Sequence, residues 1–173
     1  MNGLLREMAV EDLEIVREWR NHPNIKKFMF SQKDVLPEEH LSWYQGAKSN
    51  NLKNLLVYIE DALPLGFVQF SAVRNQKSIV VWGFYIAPYA NKGTGTKMTK
   101  LALEVAFNQL NAHKVFAEIL AFNIPSIRLH QKLGFSQEGI LKDHYFDGEN
   151  YHDVHCFGLV NNYYHKILCS NLK

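Results

Sequence analysis

A strand that runs into a glycine-rich turn and directly on into a helix is the feature that most limits what this chain can become. Ser78 to Ile86 is a strongly β-prone run carrying Ile79, Val80, Val81, Trp82, Phe84 and Tyr85. After Pro88 comes Asn91-Lys92-Gly93-Thr94-Gly95-Thr96, and then Met98, Leu101, Ala102, Val105, Ala106 and Leu110 recur at helical spacing. A helix start offers free amides and a partial positive charge, and glycines let a backbone approach a ligand closely. Together they make a phosphate cradle. Two well-known cradles do not fit. The P-loop ends in Gly-Lys-Ser/Thr, whereas Gly95 is followed by Thr96-Lys97, and the dinucleotide fingerprint needs three spaced glycines where only two stand here. Alone, the Gly-x-Gly would read as a plain turn before a surface helix.

The rest of the chain is organised around that unit. Leu4 to Met8 reads as an edge strand. Val10 to Asn21 is a helix with Leu13, Val16 and Trp19 on one face, acids early and Arg17 and Arg20 late, and Pro23 stops or redirects it. Pro37 to Lys48 is a second helix, with its proline and two acids in the first turn. Leu55 to Glu60 and Leu65 to Val73 are strands around the turn Asp61-Ala62-Leu63-Pro64. Lys114 to Phe122 is another strand, Asn123 to Leu133 a helix closed by Gly134. Ile140 to Phe146 and Tyr151 to Val160 form a hairpin about Asp147-Gly148. The fold class is a mixed α/β sheet layered with helices, one domain over residues 1–173.

Composition removes several classes of function. The 173 residues hold 19 Lys and Arg against 17 Asp and Glu, a net charge of +2, too small to suggest nucleic-acid binding by bulk charge. No apolar run reaches the length of a membrane span, and the acidic start (Glu7, Glu11, Asp12, Glu14) does not read as a signal peptide. Cys156 and Cys169 are too few for a disulfide framework and form no zinc pattern, so reduced thiols and a cytoplasmic location are expected. His144, His152 and His155 fall on a hairpin with mixed facing and no fourth ligand, so they read as structural rather than as a metal site.

The glycine turn does not stand alone. Phe84-Tyr85-Ile86-Ala87-Pro88, the Gly93-Thr94-Gly95 turn, Asn123 with Ser126, and Lys132-Leu133-Gly134-Phe135 follow one another in an order and spacing that resembles the GCN5-related N-acetyltransferase (GNAT) superfamily over nearly the whole chain. The resemblance implies a mixed, mostly antiparallel sheet of about seven strands, splayed between its central strands and flanked by helices on both faces. It implies acetyl-CoA as the acetyl donor and no metal. The pantetheine arm would lie in the splay and bond the backbone near Tyr85 and Ile86. The pyrophosphate would sit on amides of the turn from Lys92 and Gly93 through Thr94, Gly95 and Thr96, and the amide of Asn123 and hydroxyl of Ser126 would reach the donor from the other wall. The superfamily usually carries Arg or Gln three residues before its first motif glycine. This chain has Ala90 there, so that side-chain contact is absent or falls to Asn91 or Lys92.

Amine acetylation needs a base for the nucleophile and an acid for the leaving thiolate. The resemblance implies direct transfer without an acyl-enzyme. Glu118 sits mid-strand among Val115, Phe116, Ile119 and Leu120, where a carboxylate needs a partner or a task. It is expected to be the base, directly or through a water, with its pKa raised by burial; the plain alternative is an ion pair or an edge-facing residue. Where the superfamily usually offers a Tyr as the acid, this chain has His130, which could act as an imidazolium or simply be a helix-surface residue. Tyr85 is the fallback.

For the acceptor, Glu18-Trp19-Arg20-Asn21-His22-Pro23, then Met29, then Glu39-His40-Leu41-Ser42-Trp43 resemble the sugar-nucleotide N-acetyltransferases of pseudaminic acid synthesis. That resemblance implies transfer to the 4-amino group of a UDP-linked amino-dideoxy sugar, for flagellin glycosylation. Arg20 could fork onto a diphosphate, His40 could bond a phosphate or uridine, and Trp43 and Met29 could pack on the nucleobase or the sugar's methyl. The plain alternatives are core tryptophans, a helix-terminal cation and a surface histidine. The hairpin also resembles acetyltransferases of ribosomal-protein N-termini and of polyamines, but a polyamine would want a strongly acidic pocket and the acids here are scattered. A third class is a non-catalytic acyl-CoA-binding module, which would not need Glu118 and His130. The tail from Asn161, with Tyr163, Tyr164, Ile167 and Leu168, is expected to pack on its own domain or on a second copy as a homodimer.

Overall fold

The computed structural model describes residues 3–164. Strands β1 (Leu4–Glu7), β2 (Lys53–Glu60), β3 (Leu63–Val73), β4 (Gln76–Ile86), β5 (Lys114–Leu120), β6 (Ser136–Phe146) and β7 (Tyr151–Val160) form one sheet in the order β1-β2-β3-β4-β5-β7-β6. Every neighbouring pair is antiparallel except β4 and β5. The helices between the strands are α1 (Leu13–Asn21), α2 (Pro23–Lys26), α3 (Pro37–Lys48), α4 (Thr94–Glu104) and α5 (Ile124–Lys132). The expected seven-stranded sheet with helices on both faces is what the chain forms. Among the described residues no helix is long and apolar enough to cross a membrane.

Strand alternation sends successive side chains to opposite faces, and two cores result. Tyr58, Val68, Phe70, Val80, Trp82, Val115 and Phe157 pack under α4 and α5 with Met98, Leu103 and Leu133. Val57, Leu55 and Phe67 pack on the opposite face under α1 and α3 with Val16, Trp19 and Ala47. The second layer covers β2 to β4 and stops there, so β5 and β7 look out from that face past Glu118.

Local departures from the sequence reading have local causes. The first helix opens with a 3-10 turn, Val10–Asp12, capped by the Asp12 carboxylate, which accepts from the Ala9 amide at 2.8 Å and is forked by Arg6 at 2.6 and 2.8 Å. Pro23 redirects the chain rather than ending the helical region: it is the first residue of α2, and His22 Nδ1 caps that turn through the Asn24 amide at 3.3 Å. The β2–β3 turn is tighter than expected, because Asp61 and Ala62 both take positive φ (53° and 64°) and Leu63 already pairs. After α4 the helix widens into a π segment, Val105–Gln109. Residues 161–164 are helical and Tyr164 is buried against Phe107 at 4.8 Å, so the start of the tail packs on its own domain. Ile167, Leu168 and Cys169 lie outside the described residues.

Strands β4 and β5 stay together only briefly. Ile79, Val80 and Val81 pair with Lys114, Val115 and Phe116, and the strands then part. Trp82 to Ile86 keep β3 on one side and, among the described residues, have no strand on the other.

Candidate active site

The splay leaves backbone donors and acceptors of β4 beyond Val81 facing an opening instead of a neighbour. An unpaired strand edge is a template for an extended ligand. At the end of β4 the chain turns through Gly93, whose φ of 99° suits a residue without Cβ. A Cβ built there would meet nothing within 4 Å, so the space above it is open. Thr94, Thr96 and Lys97 donate to Asn91 and Gly93 carbonyls, while the Gly93 and Gly95 amides have no backbone partner among the described residues. Lys97 is not available to an anion, because it pairs with Glu60. Lys92 is exposed and makes no ion pair among the described residues. The turn therefore presents free Gly93 and Gly95 amides with an exposed, unpaired Lys92 next to them. Thr94 is buried and serves the helix start instead.

Between the strands lies a cavity of about 660 Å³, and its lining collects most of the residues singled out above. Tyr85, Glu118, Asn123, Ser126 and His130 line it together with Arg20, Met29, His40 and Trp43. Ile86, Lys92, Gly93, Thr94, Gly95 and Thr96 are not in that lining and form the separate cradle at the strand end. The volume suits a small-molecule site, and the walls are mainly aromatic and apolar.

Glu118 does not fit the expected burial. It is exposed, because α1 to α3 do not reach over β5 and its face opens into the cavity. The expectation of a buried mid-strand carboxylate is corrected. The ion-pair alternative fails as well: Glu118 makes no salt bridge or hydrogen bond among the described residues. An unpaired carboxylate stands at the cavity wall, opposite Cys156 in the β5–β7 register. The Cys156 thiol is pushed up by burial and by Glu118 and Glu138 beside it.

His130 departs further from the sequence reading. It is 2% exposed, with no helix-surface character. Its Nδ1–H donates to the Ser126 carbonyl at 2.8 Å, and its Nε2 accepts from the Trp82 indole N–H at 3.1 Å. Phe84, Phe135 and Phe157 surround the ring at 4.9–5.9 Å. Burial pulls its pKa down to about 4, only partly offset by the Ser126 carbonyl. The ring is therefore neutral near pH 7, with its one proton turned toward the helix. The expectation of an imidazolium acid is corrected: what holds this position is a wall residue that locks Trp82. Asn123 is likewise more occupied than expected. Its backbone amide donates to Leu120 at 2.8 Å and its Oδ1 caps α5 through the Ser126 amide at 3.3 Å.

The acceptor wall shows what the Arg-Asn-His-Pro segment does. Arg20 donates through Nη2 to the Ser31 carbonyl, and Asn21 grips Val35 twice, Nδ2 to its carbonyl at 3.0 Å and Oδ1 from its amide at 2.8 Å. Those bonds hold the segment 27–36 over the cavity, where Phe28, Met29, Phe30 and Val35 form part of the wall. Phe28 stacks on Phe122 and Phe30 meets Tyr145 edge-on, which fastens the same segment to the far side. Arg20 Nη1 is buried with no hydrogen-bond partner, and burial lowers the guanidinium pKa. His40 is buried and stacked on Trp43 at 4.9 Å; its Nδ1 also lacks a partner. Burial and the nearby Arg17 lower its pKa, so it is a neutral ring and not a cationic phosphate ligand.

Gln69 and Gly83 also line the cavity and were missed by the sequence reading. The signal was available: Gln69 is a lone amide inside the apolar run Leu65 to Val73, the same kind of anomaly that marked Glu118. Among the described residues no group of three or more His, Cys, Asp or Glu side chains could hold a metal ion.

A family model described as an acetyltransferase (GNAT) domain matches residues 3–136. The chain is 27% identical over 159 residues to the spermidine N(1)-acetyltransferase of Vibrio cholerae, a match spanning 89% of this chain and 91% of that protein. It is 26% identical over 139 residues to the acetyltransferase PseH of Campylobacter jejuni, spanning 80% and 86%. The solved structure of the Vibrio cholerae spermidine N-acetyltransferase with CoA and spermine superposes with a TM-score of 0.87 over 94% of this chain and 98% of that one; at 23% identity the likeness is one of fold.

Proposed function

We propose, from the premise that this chain belongs to the GNAT family and is an acetyl-CoA-dependent N-acetyltransferase, that its acceptor is an amine carrying an anionic group. The reading we favour is the 4-amino group of a UDP-linked amino-dideoxy sugar, which would put the chain in pseudaminic acid synthesis for flagellin glycosylation and in the cytoplasm. The observation that carries it is the Arg20 guanidinium in the cavity wall, with one nitrogen buried and unpartnered and no ion pair among the described residues. A buried, unpaired donor of a cation calls for an anion. The acids in the lining are Glu39 and Glu118, and Glu39 is spent capping α3 through the Leu36 amide at 2.9 Å. One unpaired carboxylate in the lining, with one guanidinium nitrogen left without a partner, suits a phosphorylated amine better than a polycation. PseH of Campylobacter jejuni among the relatives is consistent with this.

In this reading the acetyl thioester enters along the open edge of β4 and the amine arrives from the α1–α3 side. Glu118 takes the proton lost by the amine, directly or through a water, as nitrogen attacks the thioester carbon. The carbon–sulfur bond breaks and the thiolate takes up a proton. His130 has none to give toward the cavity. Tyr85, whose phenol burial keeps protonated, is left as the donor; its hydroxyl donates at 3.4 Å to the Val16 carbonyl and must turn from that long bond to reach the sulfur.

A second reading, spermidine as acceptor, is favoured by the Vibrio cholerae relative. CoA release measured with a UDP-amino sugar, spermidine and a peptide amine separates the two. We expect the sugar to turn over, and Arg20→Ala to raise its KM at least tenfold. Faster turnover of spermidine, with Arg20→Ala neutral or beneficial, would replace the first reading by the second.

A further inference from the structure

The floor of the cavity on the acceptor side contains a row of three residues. Gln69 of β3 pairs with Gly83 of β4. Val81 and Phe116 are the last pair of β4 and β5, and two residues farther along, where the strands have parted, Gly83 lies level with Glu118. Strand alternation puts Val81, Gly83 and Tyr85 on one face, and Phe67 and Gln69 on the same face of β3. All of them line the cavity, as does Glu118. An amide and a carboxylate thus flank a position that has no side chain.

Gly83 has a specific effect on its neighbour. A Cβ built there would stand 3.4 Å from Gln69 Nε2, 3.7 Å from Cγ and 3.9 Å from Cδ. The glutamine side chain therefore lies against β4 beside Gly83, at ordinary contact distance from where a Cβ would stand. Neither Gln69 nor Glu118 makes a hydrogen bond or ion pair among the described residues. This half-buried primary amide on a floor of Phe67, Val81 and Tyr85 carries both acceptor and donor atoms and has no partner in the fold to occupy them.

We propose that Gln69 is a positioning residue for the acceptor amine, holding it over Gly83 and opposite Glu118. A neutral primary amine has two N–H bonds and one lone pair. With the Gln69 amide turned so that its carbonyl oxygen, in place of Nε2, faces Gly83, one amine N–H goes to that oxygen and the other to the Glu118 carboxylate, and the lone pair is left to point into the splay, where the thioester carbon lies. Glu118 then takes its proton as the carbon–nitrogen bond forms, and Gln69 keeps the second. Orientation of this kind is worth large rate factors because attack requires alignment. The assignment rests on the reading of Glu118 as base, and on acetyl transfer to an amine, but not on which amine it is.

The test uses the full chain with acetyl-CoA and whichever of the UDP-amino sugar, spermidine or peptide amine turns over fastest. Gln69→Leu keeps the volume and removes the amide; we expect kcat/KM for the amine to fall tenfold or more, with acetyl-CoA Kd and Tm unchanged. Gln69→Glu keeps an acceptor atom in place and should retain most of the activity. Gly83→Ala leaves the glutamine in place, at ordinary contact distance from the new methyl, but fills the position over which the amine is held, and should lose activity as Gln69→Leu does. Gln69→Leu within twofold of wild type overturns the proposal, and so does a loss matched by lowered Tm and weakened acetyl-CoA binding. Glu118→Gln separates the two readings. Loss there with Gln69→Leu silent sinks the Gln69 assignment alone; a silent Glu118→Gln sinks the base and, with it, the two-point hold on the amine that rests on it.

Discussion

Replacing His130 by Phe tests whether this position is a proton donor or a structural acceptor. The ring is enclosed, and both nitrogens are used inside the fold, one by Ser126 and one by Trp82. Phe preserves the aromatic packing against Phe84 and Phe135 but leaves the Trp82 N–H buried without an acceptor. Such a loss costs about 1–3 kcal/mol, and that is the expected destabilisation near pH 7. The pH dependence supplies the sharper number. Unfolded, the imidazole titrates near 6.5; folded, burial holds it at about 4. Between those values the unfolded state binds the extra proton, so wild-type stability falls as the pH is lowered. The His130 contribution lost from pH 7 to pH 5 is about 2 kcal/mol, and about 3 kcal/mol once the pH is below 4.

The assay is urea unfolding followed by tryptophan fluorescence, wild type against His130→Phe, at pH 7 and pH 5. Other groups titrate alike in both proteins, so the difference isolates this ring. The variant should be less stable at pH 7 and should nearly catch up at pH 5. Kinetics give a second reading on the same samples. A cationic acid at this position would impose a decline in kcat above a pKa near neutrality, absent from the variant. A parallel fall in stability for both proteins, or a near-neutral kinetic limb that vanishes in His130→Phe, would refute the neutral, locked ring.

Two other perturbations act at separate places. Gly93→Ala meets no protein atom but puts an L side chain at φ 99°; it should cost roughly 1–2 kcal/mol in stability and raise the acetyl-CoA KM several-fold while leaving the amine KM alone, as steady-state kinetics with each substrate varied would show. Asn21→Ala deletes both bonds to Val35, a local loss of about 1–3 kcal/mol; hydrogen exchange should quicken across residues 27–36 and the amine KM should rise, whereas unchanged exchange there would mean the aromatic contacts alone hold the segment.

What could be read from the sequence divides along a physical line. Elements whose signal is local were legible: Pro37 at the head of α3, the glycine-rich turn before α4, and the helix beginning after Asn123 all follow from residues within a turn of one another. Which residues share the cavity was also legible in large part, because the order of those elements fixes the sheet and the sheet brings Arg20 and His40 to the same opening as Glu118. The state of each group was not. Alternation along β5 says which neighbours share a face with Glu118, but not whether a helix covers that face, and here the covering layer ends at β4. For His130 the residue type suggested an acid, yet its proton is set by Trp82, 48 positions away. Charge at Arg20 was plain, while its division into one nitrogen spent on Ser31 and one left free depends on a segment that folds back 11 residues later. Titration and hydrogen-bond capacity belong to the partners a side chain meets, and those partners are supplied by topology. Gln69 marks the boundary of that argument. Its anomaly was local and readable, a lone amide in an apolar strand, but only the bare Gly83 beside it in the next strand turns the anomaly into a group aimed at the reacting nitrogen.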